Sequence, residues 1–312
     1  MPGIGVVYNP HARANRNGAG DRVRRLETVV GDQGLVRVTH SLDELHDAAQ
    51  EFHRYGIDTV GVCGGDGSYH CTLSAMESIY GAEPLPKLLP LRAGTINYVA
   101  DAVGGDRGRP EMVVARLLRN RRQGVADMTT ERDVMRVNGH ELGFLLGFGT
   151  IVNFLRAYYA MDKQGPLQAS RLLSRLIGSA LVGTHVARAV FQPVECDIEV
   201  DGEPIPFRQF TFFLGATVDR IALGFRPTYL GTRKRGFFHV IGGPIAATRL
   251  IRRIGRIYRG FPTGEPLLYD NLGQKMVIHF FRPSYYMLDG DILPPVERLE
   301  VEVARRVTLI RG

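Results

Sequence analysis

Residues 57–63 read Ile-Asp-Thr-Val-Gly-Val-Cys, and the next five are Gly64-Gly65-Asp66-Gly67-Ser68. A run so rich in β-branched and small apolar residues suits a strand covered on both faces, as a parallel strand between two layers of helices is. The glycines then impose a sharp turn, and Thr72–Tyr80 reads as the helix that follows. The flanking sequence repeats this alternation. Gly5-Val6-Val7-Tyr8 reads as a buried strand and Asp21–Val30 as a helix spaced through Val23, Leu26 and Val30. Leu35–Thr39 is a strand, and Ser41 opens a helix through the capping-box pattern Ser41-x-x-Glu44. Lys87–Leu91 is another strand, and Pro110 opens a helix that continues through Met112–Arg122. The order β-α-β-α-β-α predicts a parallel sheet with right-handed crossovers.

Near residue 125 the pattern changes to short alternating strands: Asp133–Val137, Leu142–Leu146, Cys196–Val200, Phe210–Leu214, Lys275–Phe281, Ser284–Leu288, Leu299–Val303 and Val307–Ile310. Asn138-Gly139 and Asp201-Gly202 are hairpin-turn signals. The sequence therefore predicts an α/β domain over 1–125 and a mostly antiparallel β domain over 126–312. A helical insertion falls at about 154–190, and the C-terminal tail can return to the first domain. At 44% hydrophobic and 23% charged residues, the 312-residue chain is neither disordered nor fibrous. Its three scattered cysteines, Cys63, Cys71 and Cys196, form no CxxC pair, which argues against a disulfide framework or a structural zinc. No signal-peptide order opens the chain and no apolar run approaches the ~18 residues of a membrane span, so the cytoplasm is the expected compartment. The net charge of +7 suits phosphorylated ligands or an anionic surface. No nucleic-acid-binding module is present.

Four motifs carry the chemistry. At the end of the third strand, Gly64, Gly65 and Gly67 let backbone N–H groups approach a phosphate, with the helix dipole behind them. Ser68 is placed to cap that helix and touch phosphate. Asp66 stands at the C-terminal edge of the sheet, where α/β ligands bind, and can hold a metal or orient a hydroxyl. Leu89-Pro90-Leu91-Arg92-Ala93-Gly94-Thr95-Ile96-Asn97 repeats the design on the neighbouring strand, with Gly94 at the turn and Thr95 and Asn97 as polar groups. Tyr8-Asn9-Pro10-His11-Ala12-Arg13 follows the first strand; Asn9 can tie adjacent turns together and Arg13 can reach phosphate. Asp289-Gly290-Asp291 places two carboxylates around a glycine at a late strand end, where one can accept the proton of an attacking alcohol. Asp289-Gly290 read alone is an ordinary turn. Neither a Walker loop nor a GxGxxG fingerprint occurs. His70 reads as a helix-surface histidine.

Taken in order, NP-x-A, GGDGS, GTIN and the late DGD resemble the diacylglycerol kinase catalytic family, which includes bacterial lipid kinases, sphingosine kinases and ceramide kinases. The resemblance runs over nearly the whole chain. It implies a phosphofructokinase-like N-terminal domain, a C-terminal β-sandwich, ATP with Mg2+, and a lipid hydroxyl as acceptor. It further implies that Asn9, Thr39, Asp66, Gly67, Ser68 and Thr95 line the nucleotide site. Asp291, where relatives usually have Glu, becomes the proton acceptor, with Asp289 as its partner. This chain departs from the family at Arg13, Cys71, Tyr98 and Arg235. Arg235 stands where relatives carry an Asp that anchors a structural magnesium, and a guanidinium cannot ligate a cation, so no structural magnesium is expected there and the metal ligands stay open.

Two further readings stay open. An NAD kinase also uses a GGDG turn, and a nucleotide- or lipid-binding pseudokinase would account for the departures. Arg249–Arg259 has helical amphipathic spacing, with Leu250, Ile251, Ile254, Ile257 and Tyr258 on one side and five arginines on the other. Such a helix suits transient contact with an anionic membrane surface, peripheral to its inner face. The oligomeric state is left open.

Overall fold

The computed structural model describes residues 3–16, 19–94, 97–161, 165–182 and 184–311. The chain divides into two units. One holds the residues up to Arg132, His140–Leu142 and the segment from Arg306 onward; the other holds Asp133–Gly139 and Gly143–Arg305.

The first unit alternates β1 (Gly3–Tyr8), α1 (Ala19–Val30), β2 (Gly34–Val38), α2 (Leu42–Arg54), β3 (Ile57–Gly64), α3 (Asp66–Tyr80), β4 (Lys87–Arg92), α4 (Tyr98–Ala102) and α5 (Pro110–Arg122). The strands pair in the order β2-β1-β3-β4, all parallel, and the chain's last strand adds alongside β4 through Leu309 and Leu88. β3 is buried along almost its whole length, as its composition requires. On one face Leu26 and Val30 of α1 and Val113, Val114, Leu117 and Leu118 of α5 pack onto Ile4, Val6, Tyr8, Leu89 and Leu91. On the other, α2 and α3 pack together. There Gly5 is obligatory, because a Cβ on it would come within 2.9 Å of the Phe52 ring. α2 is capped by Ser41 Oγ, which accepts from Glu44 N at 3.2 Å, while the Glu44 carboxylate accepts from His40 N at 2.7 Å. α5 begins at Pro110, whose missing N–H costs nothing at that position.

The second unit is antiparallel. Its elements are β5 (Thr129–Val137, which enters from the first unit), β6 (Glu141–Gly143, whose first two residues belong to the first unit), β7 (Leu145–Gly149), α6 (Thr150–Tyr159), α7 (Pro166–Val182), α8 (His185–Val190), β8 (Val194–Val200), β9 (Glu203–Pro204), β10 (Gln209–Phe210), β11 (Phe212–Ala216), β12 (Phe238–Gly243), α9 (Ala247–Arg252), α10 (Ile254–Arg259), β13 (Tyr269–Gly273), β14 (Lys275–Leu288) and β15 (Asp291–Ile310). Strands run β13-β12-β11-β7-β14, and Met276–Phe280 of β14 also pairs with β8. Phe148 centres an aromatic core, stacked on Phe213 at 4.6 Å and edge-on to Phe280 at 5.2 Å. Asn138-Gly139, Asp201-Gly202 and Asp289-Gly290 all carry positive φ at both residues, the signature of two-residue hairpin turns of the primed type.

Three expectations change. The helix after the glycine turn starts at Asp66, not Thr72, because Asp66-Gly67-Ser68 form its first turn despite their low helix propensity. The pairs 275–281 with 284–288, and 299–303 with 307–310, are each one long strand; β14 instead shifts register between His279 and Ser284, around Pro283, which has no N–H to give. The basic stretch is two short helices: Arg253 breaks them at φ −93°, ψ −2°, and Gly255 weakens the second. Leu250, Ile251, Ile254 and Ile257 are half-buried as the pattern requires, but Tyr258 faces solvent. No helix among the described residues is long and apolar enough to cross a membrane.

Candidate functional site

β1 and β3 are neighbours in the sheet while the chain leaves β1 for β2 on the opposite side. Their C-terminal ends therefore flank a topological switch point, the place where ligands of such sheets bind. Asn9 follows β1, Thr39 follows β2, Gly65 follows β3 and Ala93 follows β4. A network of hydrogen bonds joins these ends. Asn9 N donates to Cys63 O at 3.1 Å, Thr39 N to Tyr8 O at 3.0 Å, and Ala93 N to Gly64 O at 3.1 Å. Asn9 Nδ2 donates to Ser68 Oγ at 3.0 Å, and Asn9 Oδ1 accepts from His11 N at 2.9 Å. Asn9 thus ties the β1 turn to α3, as its sequence position suggested. Ser68 lies inside α3 rather than capping it; the cap position is Gly65, with no side-chain contribution.

The two glycine turns touch backbone to backbone. A Cβ on Gly94 would stand 2.4 Å from Gly65 Cα, and a Cβ on Gly64 would stand 2.4 Å from Ser68 Cβ. Asn97, in the left-handed region at φ 54°, closes its own turn: its Oδ1 accepts from Gly94 N and its Nδ2 donates to Gly94 O, both at 3.0 Å. Asp66 Oδ1 accepts from Val99 N at 3.2 Å, so this carboxylate clamps the start of α4. The result is a rim of half-buried Gly65, Asp66, Gly67, Ser68, Gly94 and Asn97 at the N-terminal end of a 15-residue helix. Backbone donors and the helix dipole make such a rim suited to an anion. Thr95 lies outside the described residues. Arg13 is exposed on the loop after β1, and Thr39 is buried.

Asn15 was not singled out in the sequence, yet it is fully buried and organises the rim. Its Nδ2 donates to Asn9 O at 2.8 Å and Cys63 O at 3.1 Å, and its Oδ1 accepts from Arg22 at 2.8 Å. Asn15→Ala is expected to lower stability by about 2 kcal/mol, read as a thermal midpoint about 4–8 °C lower. Burial also pushes the Cys63 thiol beneath this turn up to about 12, so it is no nucleophile. His70 is buried in α3 beside the Cys71 thiol at 3.5 Å, not on the helix surface, because α3 is covered on more than one side.

Asp289 and Asp291 belong to the second unit. Asp289-Gly290 is the hairpin turn between β14 and β15, where Leu288 pairs with Asp291. The Asp289 side chain is fully buried and accepts from Phe144 N at 3.0 Å and Leu145 N at 2.8 Å. Asp291 is exposed at the first position of β15. Tyr159 donates to Gly290 O at 2.7 Å and steadies the same turn. Arg235 is exposed, and its neighbour Gly236 donates its N–H to Asp133 at 3.0 Å.

An α/β unit with two glycine turns packed together at its switch point is followed in the chain by an antiparallel β unit. Residues 3–130 match the family model described as the diacylglycerol kinase catalytic domain. The fold is shared over the full length. A crystal structure of a diacylglycerol kinase from Bacillus anthracis str. Sterne superposes with a TM-score of 0.66 at 16% identity, covering 99% of this chain and 97% of that one. A second structure from that organism, provisionally described as a diacylglycerol kinase, has a TM-score of 0.68 at 14% identity with the same coverage. No curated protein matches the sequence.

Proposed function

We propose that the protein is an ATP-dependent lipid kinase that phosphorylates the primary hydroxyl of a neutral lipid, a ceramide or sphingoid lipid or a diacylglycerol. The observation that carries this reading is the closure of Gly94 against Gly65 at the switch point, a backbone cradle that any side chain would fill. A triphosphate fits it: Gly64–Ser68 and Gly94 offer N–H groups, with Asn9 behind Ser68, and the family of residues 3–130 supports phosphotransfer. Magnesium, held mainly by phosphate oxygens, supplies charge neutralisation when bound. In this reading Asp66 orients the reacting groups and Asp291 accepts the proton of the lipid hydroxyl. Because its acceptor resides in a bilayer, the enzyme works in the cytoplasm at the inner membrane face.

Purified protein given ATP, magnesium and a panel of ceramides, sphingoid bases and diacylglycerols is expected to form a phospholipid product; absence of transfer to every lipid would sink the reading. Transfer to NAD instead would identify an NAD kinase, and tight nucleotide binding without turnover a pseudokinase. Asp66→Asn and Asp291→Asn are each expected to lower turnover by about a hundredfold or more with the thermal midpoint preserved. In the first variant the amide oxygen of the new side chain can still accept from Val99 N, so the rim should survive.

A further inference from the structure

From Arg220 to Gly264 the chain holds ten basic residues and no acidic one. The two acids that bracket this stretch are each held by an arginine: Asp219 pairs with Arg226, and Glu265 with Arg249 at 2.7 Å. Neither is left to offset the remaining positive charge. Charge of one sign over 45 residues of one unit is a field, not a scatter of surface pairs.

Part of this stretch folds into one face. The loop Ile221–Phe225 lies against α10: Arg226 N donates to Ile257 O at 3.1 Å, and the Phe225 ring meets the Tyr258 ring edge-on at 5.4 Å. Within that loop Leu223 takes φ 58°, ψ 17°, a left-handed conformation that a non-glycine residue adopts at a steric cost. Such local strain persists only where the surrounding structure holds it. Gly260, at φ 72°, turns the chain off the end of α10 and presents Phe261. Tyr258 is 54% and Phe261 53% exposed, and Arg220, Arg252 and Arg259 are exposed in the same segment. Two large rings open to solvent beside exposed arginines, in a segment whose sequence carries no acid, make an amphipathic surface whose natural complement is apolar beneath and anionic above.

We propose that this face, formed by residues 220–225, Arg252 at the end of α9, α10 and Phe261, docks the protein on an anionic phospholipid surface. Tyr258 and Phe261 enter the headgroup layer, and Arg220, Arg252 and Arg259 pair with lipid phosphates. The choice of a bilayer over another polyanion rests on the lipid-kinase reading; the binding itself needs no nucleotide and no turnover. A basic residue near an anionic leaflet contributes about a fivefold gain in affinity, and the interfacial preference of tyrosine and the apolar burial of phenylalanine add to it.

Co-sedimentation of the full chain with vesicles, in the absence of nucleotide, tests this. Vesicles of phosphatidylcholine with phosphatidylglycerol are expected to bind the protein, phosphatidylcholine alone to bind it weakly, and high salt to release it. Replacing Arg220, Arg252 and Arg259 together by Gln is expected to weaken binding by about a hundredfold, whereas replacing all three by Lys should retain it. Tyr258→Ser with Phe261→Ser should weaken binding by about tenfold with little change in its salt dependence. Equal binding to both vesicle types, unchanged binding by the Gln variant at an unchanged thermal midpoint, or duplex DNA bound as tightly as the anionic vesicles would overturn the proposal. If vesicles bind as expected but no lipid is phosphorylated, the kinase reading fails and the docking face stands. If a lipid presented in detergent micelles is phosphorylated equally by wild type and Gln variant, and vesicle binding is indifferent to the substitutions, the docking face fails and the kinase reading stands.

Discussion

Gly94→Ala is expected to weaken nucleotide binding and to cut phosphotransfer by about a hundredfold or more, while the chain stays folded. The added methyl would stand 2.4 Å from Gly65 Cα and 3.0 Å from Asn97 Oδ1. The first contact is backbone on backbone, so no side-chain rotation relieves it. The two turns must separate by roughly an ångström, and displacements of that size at a reacting centre cost orders of magnitude in rate. The stability cost should be smaller, about 1–3 kcal/mol, as for other overpacked positions. Gly65→Ala is the informative contrast. Its methyl would meet Gly94 Cα at 3.3 Å, a contact that a few tenths of an ångström relieve. Titration of a fluorescent ATP analogue, together with the lipid-kinase assay, should rank wild type above Gly65→Ala and Gly65→Ala well above Gly94→Ala. Equal binding by all three would show that the closure of these two turns does not shape the nucleotide site.

Asp289→Ala is expected to destabilise the second unit by about 3 kcal/mol, lowering the thermal midpoint by about 6–12 °C. The carboxylate is fully buried and accepts from Phe144 N and Leu145 N, while Leu145 O accepts from Asp289 N at 2.9 Å. Alanine would leave two buried donors without an acceptor and would also sit at φ 47°, where aspartate and asparagine are tolerated far better than alanine. Asp289→Asn keeps the turn preference and one acceptor oxygen, and should cost less than half as much. Differential scanning calorimetry paired with turnover separates two roles. A stability loss graded from Asn to Ala identifies a residue that builds the hairpin carrying Asp291. Full stability with abolished turnover in the Asn variant would instead make Asp289 part of the chemistry.

The same two sites mark how much was legible beforehand. The run Ile57–Cys63 and the glycines after it announced a covered strand and a tight turn, because composition and φ freedom are properties of a few adjacent residues. Pro110, Ser41 with Glu44, and the Asn-Gly and Asp-Gly pairs acted equally locally. Asn9 was identified as a tie between turns from its position after a strand, and it bonds to Ser68, 59 residues away. Asn15 could not be found that way. Nothing in its neighbours distinguishes it from a loop asparagine; only the pairing of β1 with β3 brings Cys63 O within reach of its amide. The helix start was missed for a related reason: Asp66, Gly67 and Ser68 are weak helix formers, and tertiary packing of α3 overrides their preference.

What the sequence determined by itself is the alternating plan of the first unit, the change to antiparallel strands after it, the hairpin turns, and the two glycine turns with Asn9 as a tie between them. These follow from periodicity and from the conformations that glycine, proline and aspartate permit within a few residues. What only the tertiary structure decided is which backbones touch. Gly65 and Gly94 meet at their Cα atoms because β3 and β4 pair in the register Gly64 to Arg92, and Asp289 is a buried acceptor because β7 starts where its turn ends. Register is set by the sum of contacts along a whole sheet, so no short window of sequence contains it.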